Sequence, residues 1–249
     1  MISISIVSHG QAKLIARVMA DLAAIAGSLN FELILTKNIP EQWTFLMEEL
    51  PYPVKIIENA TPRGFGANHN AAFQLAGGKW FCVLNPDIRM PTNPFPLLLE
   101  ALTGPSACVV APAILAPTGQ IEDSVRRFPT PLSLFMKTWG KGDGRYLFSV
   151  NDAPFSVDWV GGMFMLFGAE NYRRVGGFDE GFFLYYEDVD ICVRLQKFGG
   201  RVIACPQAQV IHDARRSSRS DFRYLRWHIA SLVRYLVKHW LRLPKTDKL

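Results

Sequence analysis

Residues 81–91 read FCVLNPDIRMP. The run Phe81–Leu84 is short and apolar, the pattern of a buried strand, and it stops at Asn85-Pro86-Asp87. A carboxylate at the end of such a strand must be solvated, paired or bound to a metal. Asn, Pro and Asp are common turn residues, so the three alone read first as a turn. Proline fixes φ, however, and would hold Asp87 rigidly. A rigid carboxylate at a sheet's carboxyl end suits Mg²⁺ or Mn²⁺, ions that bring diphosphates with them.

The surrounding pattern supplies the sheet. Strands are expected at Ile2–Val7, Phe31–Leu35, Val54–Ile57 and Lys79–Leu84. A helix is expected over Lys13–Ile25, where Leu14, Ile15, Val18, Leu22 and Ile25 recur at helical spacing, and another over Asn68–Leu75. Strands separated by such helices imply right-handed βαβ units and a mainly parallel sheet. Ligands of these sheets bind beyond the carboxyl ends of the strands, where Asp87 lies. Past Thr92 prolines interrupt the pattern, and residues 117–156 are turn-rich. Order returns with Val157–Phe167, residues 176–199 and a strand at Arg201–Ala204. No composition break defines a second domain before the tail.

Charge is unevenly distributed along the 249 residues. Residues 215–249 carry ten Lys/Arg against Asp221 and Asp247, a net +8, whereas the preceding 214 hold 17 bases and 20 acids, a net −3. The body is therefore a poor candidate for binding nucleic acid. No apolar run approaches the roughly 20 residues of a membrane helix. The start, MISISIVSHG, alternates as a strand rather than as a leader peptide. Cys82, Cys108, Cys192 and Cys205 show no metal or redox spacing and read as buried thiols in a reducing compartment. A cytoplasmic protein is expected.

Three further segments bear chemistry. Arg63-Gly64-Phe65-Gly66-Ala67-Asn68-His69-Asn70 reads equally as a turn or a phosphate-facing loop, with Asn68 as a candidate helix cap. It lacks the third glycine of a dinucleotide fingerprint, and Ser8-His9-Gly10 offers none after the first strand, so a nicotinamide oxidoreductase is a poor fit. Residues 179–190 hold five acids among Phe182, Phe183, Tyr185 and Tyr186, with Glu187 and Asp188 near a helix N-terminus. Capping alone would account for some of them; a carboxylate among aromatics also has the raised proton affinity of a general base. His212, more often structural than not when alone, would complete a metal site if it lay near Asp87.

In this order the motifs resemble the family 2 glycosyltransferases of the GT-A fold, and within them the rhamnosyltransferase-like branch that builds bacterial cell-surface polysaccharides, lipopolysaccharide among them. The likeness rests on Ile4-Ser5-Ile6-Val7-Ser8-His9, Gly64 to Asn70, Leu84 to Asp87, Val160-Gly161-Gly162, Gly177 to Glu180, Phe183 to Asp190 and His212, and spans about residues 1–217. It implies an α/β GT-A domain over 1–217, with a nucleotide-sugar half (1–91) and an acceptor half (92–217). It implies a nucleotide-diphosphate-sugar donor, a glycan or lipid-linked acceptor, Mg²⁺ or Mn²⁺, and one inverting displacement. Asp87 would stand in the family's metal-binding DXD motif, with His212 near the metal. Asp188, beside Glu187, would be the catalytic base. Val7, Ser8, His9, Asn38, Arg63, Gly64, Phe65, Asn68 and Asn85 would line the donor site, and Trp159, Gly161 and Gly162 the acceptor site.

One segment departs from the pattern. Relatives carry an acid after the second strand that helps bind the nucleoside; here the run is Leu35-Thr36-Lys37-Asn38, with Thr36 or Asn38 as polar substitutes. This keeps open a non-catalytic nucleotide-sugar or glycan-binding subunit. In the tail, residues 218–249, an amphipathic helix is expected. Phe222, Leu225, Ile229, Leu232, Val233, Leu236 and Trp240 fall on one face, and Arg223, Arg226, Arg234, Lys238 and Arg242 on the other. Packing on its own domain, peripheral contact with an anionic membrane and contact with a partner are all open to such a helix.

Overall fold

The computed structural model describes residues 1–43, 49–140, 142–213, 222–239 and 242–244. Four parallel strands open the fold: β1 (Ile2–Ser8), β2 (Phe31–Lys37), β3 (Val54–Glu58) and β4 (Trp80–Leu84). β1 is central among them, with Ile4 opposite Leu33 on one side and Cys82 on the other. Its alternation of Ile and Ser does not mark a solvated face. Ile2, Ile4 and Ile6 pack with Ile15, Val18 and Leu22 of α1 (Ala12–Ile25). Ser3 and Ser5 are equally buried, and each is hydrogen-bonded, Ser3 Oγ to Glu32 Oε1 (2.6 Å) and Ser5 Oγ with His69 Nδ1 (2.8 Å). His69 belongs to α2 (Phe65–Leu75), and burial pushes its imidazole down to about 3, so the ring is neutral there.

The second half extends the same sheet. The strand β10 (Phe164–Gly168) lies antiparallel between β4 and β6 (Ala107–Leu115), and β6 is parallel to β11 (Arg201–His212). Two short strands, β5 (Ile88–Arg89) and β8 (Phe155–Val157), pair antiparallel with β11. The main order is β3-β2-β1-β4-β10-β6-β11-β5. Helices α3 (Phe95–Ala101), α5 (Ala169–Arg174) and α6 (Glu187–Lys197) add to its cover. A ribbon of β7 (Val125–Arg126) and β9 (Trp159–Val160) stands apart, with α4 (Pro131–Thr138) following it. One reversed strand leaves β1, β2, β4, β6 and β11 running the same way. Ser8, Lys37, Leu84, Leu115 and His212 therefore end on one edge, where β10 begins, Phe164 opposite Leu84.

Two boundaries differ from the sequence reading. α2 begins at Phe65, with Gly64 at the N-cap, so Asn68 is not a cap. Its amide instead donates to the carbonyls of Gly64 (3.0 Å) and Arg63 (3.1 Å). β11 does not end at Ala204; a register shift between Cys205 and Gln209 carries it on to His212. Pro206, which has no N–H for the ladder, sits in that irregularity. The expected domain boundary at 217/218 and Trp240 lie outside the described residues.

The amphipathic tail helix α7 (Phe222–His239) packs on its own domain, but with an unexpected face. Ser231, Tyr235 and His239, spaced by four, are buried, while Phe222, Leu225, Ile229 and Val233 point outward. Ion pairs explain the choice. Arg234 Nη2 and Lys238 Nζ reach Asp179, and Lys238 Nζ and His239 Nε2 reach Asp190 in α6. Among the described residues no helix is long and apolar enough to cross a membrane.

Candidate active site

The shared strand edge gathers the predicted residues. After β1, the His9 ring meets the Asn38 amide at 3.3 Å. Asn38 donates to the Arg63 carbonyl (2.9 Å) and accepts from the Arg63 N–H (2.8 Å), clamping the loop before α2. Asn59 donates to both Asn38 (2.9 Å) and Asn68 (2.6 Å). An amide network thus stands where relatives would carry an acid after β2. Thr36 Oγ1, also buried there, has no hydrogen-bond partner among the described residues. Ser8 Oγ accepts from Gln11 N–H (3.3 Å), and Val7 is half-buried opposite Thr36.

The glycine loop is fixed by close approach to the acidic motif. A Cβ on Gly64 would lie 2.7 Å from the Phe183 carbonyl oxygen, and the Phe65 N–H donates to that same oxygen at 2.9 Å. Asn70 then ties α2 to the Gly177-Phe178-Asp179-Glu180 segment. Its Oδ1 accepts from Phe178 N–H (2.9 Å) and Tyr172 OH (2.7 Å), and its amide donates to Phe178 O (2.9 Å). Motifs more than a hundred residues apart are one hydrogen-bonded unit.

At the end of β4, Asp87 meets His212. Asp87 Oδ2 lies 3.2 Å from His212 Nε2, and Glu122 Oε2 lies 2.7 Å from the opposite ring nitrogen. Burial would lower the imidazole, but the two carboxylates outweigh it and raise His212 to about 9. Asp87 Oδ1 is buried with no hydrogen-bond partner among the described residues. An orphaned carboxylate oxygen beside an imidazole fits a divalent cation once the ring gives up the proton that the two carboxylates favour. No group of three or more His, Cys, Asp or Glu suited to an ion is assembled among the described residues. Asn85 helps fix the turn, its N–H donating to Met163 O at 2.9 Å.

One residue before Met163, the Gly162 N–H donates to Asp188 Oδ2 (3.0 Å), so a short path of backbone joins the turn of Asp87 to Asp188. The other Asp188 oxygen accepts from the Val189 N–H (2.8 Å) at the start of α6. Burial raises the Asp188 carboxyl, and the two backbone donors oppose the rise. Its neighbour Glu187 is only 5% exposed and its Oε2 has no partner among the described residues. Burial and the adjacent Asp188 charge push Glu187 well above the ordinary range. Both carboxyls are therefore raised, Glu187 the more strongly, because backbone donors from Gly162 and Val189 oppose the rise at Asp188. Tyr185 (φ 72°) and Tyr186 (φ 66°) precede them in the left-handed region, an arrangement costing on the order of 1 kcal/mol each. The ring of His228 in α7 packs edge-on against both tyrosines.

Asp188 opens into a cavity of about 600 Å³. Its walls include Arg126, Arg127, Asp158, Trp159, Ser133 and His228. Trp159 lines it as expected, its Nε1 donating to Arg127 O (3.0 Å). Gly161 and Gly162 do not line it, and a Cβ on Gly162 would come within 3.2 Å of the Phe65 ring. Asp87, His212 and the Asn38 network do not line this cavity.

The glycosyl transferase family 2 profile matches residues 3–165, well over half the chain. The chain belongs to that family. Among curated proteins it is 29% identical to the rhamnosyltransferase WbbL of Escherichia coli, over 96% of this chain and 93% of that protein. It is 28% identical to the N-acetylglucosaminyl-diphospho-decaprenol L-rhamnosyltransferase of Mycobacterium tuberculosis, over 78% of this chain and 71% of that one. Among solved structures it resembles the mannosyltransferase PcManGT from Pyrobaculum calidifontis, determined with GDP-Man and Mn²⁺. There the TM-score is 0.64 at 17% identity, covering 99% of this chain and 65% of that one, a likeness of fold alone. The rhamnosyltransferase-like family 2 reading and the GT-A architecture are both borne out.

Several residues of this family member's site carry no sequence signal. Asn59 stands in an unremarkable loop, and Glu122, Arg126 and Arg127 fall in the turn-rich tract, where no periodicity singles them out. For Glu187 the structure makes a sharp prediction. If it is held protonated, Glu187→Gln is a near-isostere and retains transfer within about threefold, whereas a charge-bearing role would cost a hundredfold or more. Initial rates of the two proteins at neutral pH separate these outcomes.

Proposed function

We propose that this family 2 enzyme moves a hexose, rhamnose being the sugar best supported, from a nucleotide diphosphate to a hydroxyl of a lipid-linked glycan in the assembly of a bacterial surface polysaccharide. The observation that carries the reading is Asp188, a carboxyl of raised proton affinity held by two backbone N–H groups at the wall of a sugar-sized cavity. The names of the relatives support rhamnose and a polyprenyl-diphosphate acceptor.

In this mechanism the acceptor hydroxyl lies in the cavity against Trp159, and Asp188 takes its proton as the oxygen attacks the anomeric carbon. The bond from that carbon to the diphosphate breaks as the new glycosidic bond forms, and the configuration inverts. Asp87 and His212 would hold Mg²⁺ or Mn²⁺, which neutralises charge on the leaving diphosphate. The orphaned Asp87 Oδ1 and the adjacent imidazole support that role, together with Mn²⁺ in the mannosyltransferase structure. His9, Asn38 and Arg63 would hold the nucleoside and ribose, and the N-terminus of α2 would face the phosphates.

A panel of dTDP-, UDP- and GDP-sugars tests the reading, scored by thermal shift and by hydrolysis with and without Mn²⁺. One donor should raise the melting temperature only when metal is present. Asp87→Asn should weaken that metal-dependent shift at least tenfold, as expected when a direct ligand is lost. A shift that is indifferent to metal and to Asp87 would refute the metal assignment. The Asn38–Asn59–Asn68 network in place of the usual acid favours a second reading, a subunit that binds nucleotide sugar without turning it over. Metal-dependent stabilisation with no transfer to any lipid-linked acceptor would select it.

A further inference from the structure

Exposed apolar side chains of this protein are concentrated on two helices. On and just after α4 they are Leu132 (67% exposed), Phe135 and Trp139 (72%). On α7 they are Phe222 (83%), Ile229 and Val233, with Val237 (76%) beside them. Single exposed apolar residues are ordinary, but clusters of this size mark contact surfaces. α7 is held to the body by Ser231, Tyr235 and His239, so Phe222, Ile229 and Val233 lie on its far side. Both helices also line the cavity that reaches Asp188, α4 through Ser133, Leu134 and Lys137, and α7 through His228 and Leu232. Their inner faces frame the opening and their outer faces are greasy.

Charge selects the occupant. Residues 126–139 contain no acid and leave Arg127 and Lys137 exposed. Residues 222–239 contain none and leave Arg223 and Arg226 exposed, while Arg234 and Lys238 turn toward the body to meet Asp179 and Asp190. A second copy docking face to face would bring these like charges together. An anionic bilayer suits both features, because apolar side chains enter the headgroup boundary while basic ones meet lipid phosphates. We propose that α4 and α7 together form a docking surface for an anionic lipid bilayer and set the mouth of the acceptor cavity against it. The consequence for catalysis rests on the acceptor reading above; the binding does not, since it needs neither donor, metal nor turnover.

Co-sedimentation of the full chain with vesicles tests this, using phosphatidylcholine alone and phosphatidylcholine mixed with phosphatidylglycerol. Binding is expected to the mixed vesicles, weak on phosphatidylcholine alone, and reduced by added salt. Trp139→Glu and Val233→Glu should each weaken it about tenfold, through lost apolar insertion and an added anion. Leu147→Glu, at a still more exposed apolar site off both helices, should not. Melting temperatures confirm that the variants fold, and Trp139→Ala replaces the glutamate if that one does not. Absence of binding, equal binding to both vesicle types, or Trp139 and Val233 variants that bind as the parent does would overturn the proposal. Concentration-dependent dimerisation abolished by the same substitutions, with no vesicle binding, would assign the surface to a second copy instead.

Discussion

Asp188→Asn is expected to lower the transfer rate by about 10²–10⁴-fold, the usual contribution of a general base, equivalent to roughly 3–5 kcal/mol of barrier. The loss should fall on kcat. Asn can still accept the Gly162 N–H through its one carbonyl oxygen but leaves the Val189 N–H without its side-chain acceptor, so the variant's melting temperature is measured beside its rate. Donor binding should be almost unchanged, because Asp87 and the Asn38 network lie outside the cavity that Asp188 lines. The pH profile gives an independent check. A base works only when deprotonated, and burial raises the Asp188 carboxyl. The acid limb of kcat/KM should therefore lie above the pH at which an ordinary aspartate titrates, and the residual activity of the Asn variant should lack it. Full activity in that variant, with the limb intact, would remove Asp188 as the base.

The sheet was legible because its signals are local. Apolar runs of five to seven residues, separated by helical spacing, suffice to place β1, β2 and β4, and Asp87 follows from a turn at a strand end. The acidic motif was legible for another reason: five acids among aromatics are improbable as a solvated face. What stayed hidden depends on tertiary packing. That burial raises Glu187 more strongly than Asp188 follows from which of them finds backbone donors, and adjacency in sequence cannot show it. The left-handed Tyr185 and Tyr186 are stabilised by packing against α7, not by any local preference for positive φ. The tail helix is the clearest case. Its hydrophobic stripe suggested the buried face, yet among its described residues only Leu232 and Leu236, at the margin, are partly buried. Asp179 and Asp190 draw the adjoining, partly basic face inward, because a buried carboxylate must find partners before apolar area can decide the packing.

That latch supplies the second large effect: Asp190→Asn should destabilise the protein by about 3–5 kcal/mol. Asp190 is fully buried and accepts from Arg194 Nε (2.7 Å), Lys238 Nζ (2.6 Å) and His239 Nε2 (2.7 Å). The Lys197 ammonium donates to the other His239 nitrogen (3.0 Å), which leaves Nε2 as the donor to Asp190. An amide keeps the shape but removes the charge that compensates Arg194 and Lys238. Roughly 10 °C in melting temperature is the corresponding loss for a chain of this size. Burial opposes ionisation of Asp190, but His239, Arg194 and Lys238 outweigh it and hold the carboxyl at about 2, below its ordinary 3.8. A depressed carboxyl stabilises the fold above the unfolded value and ceases to as pH falls through the folded one, so the difference between parent and variant should be full above about pH 4 and close toward pH 2. Asp179→Asn provides the contrast. Its partner Arg234 is 45% exposed, so that variant should lose only about 0–1 kcal/mol. Equal losses from the two substitutions would mean that α7 is held by its surface pairs, and that the buried latch between α6 and α7 contributes nothing of its own.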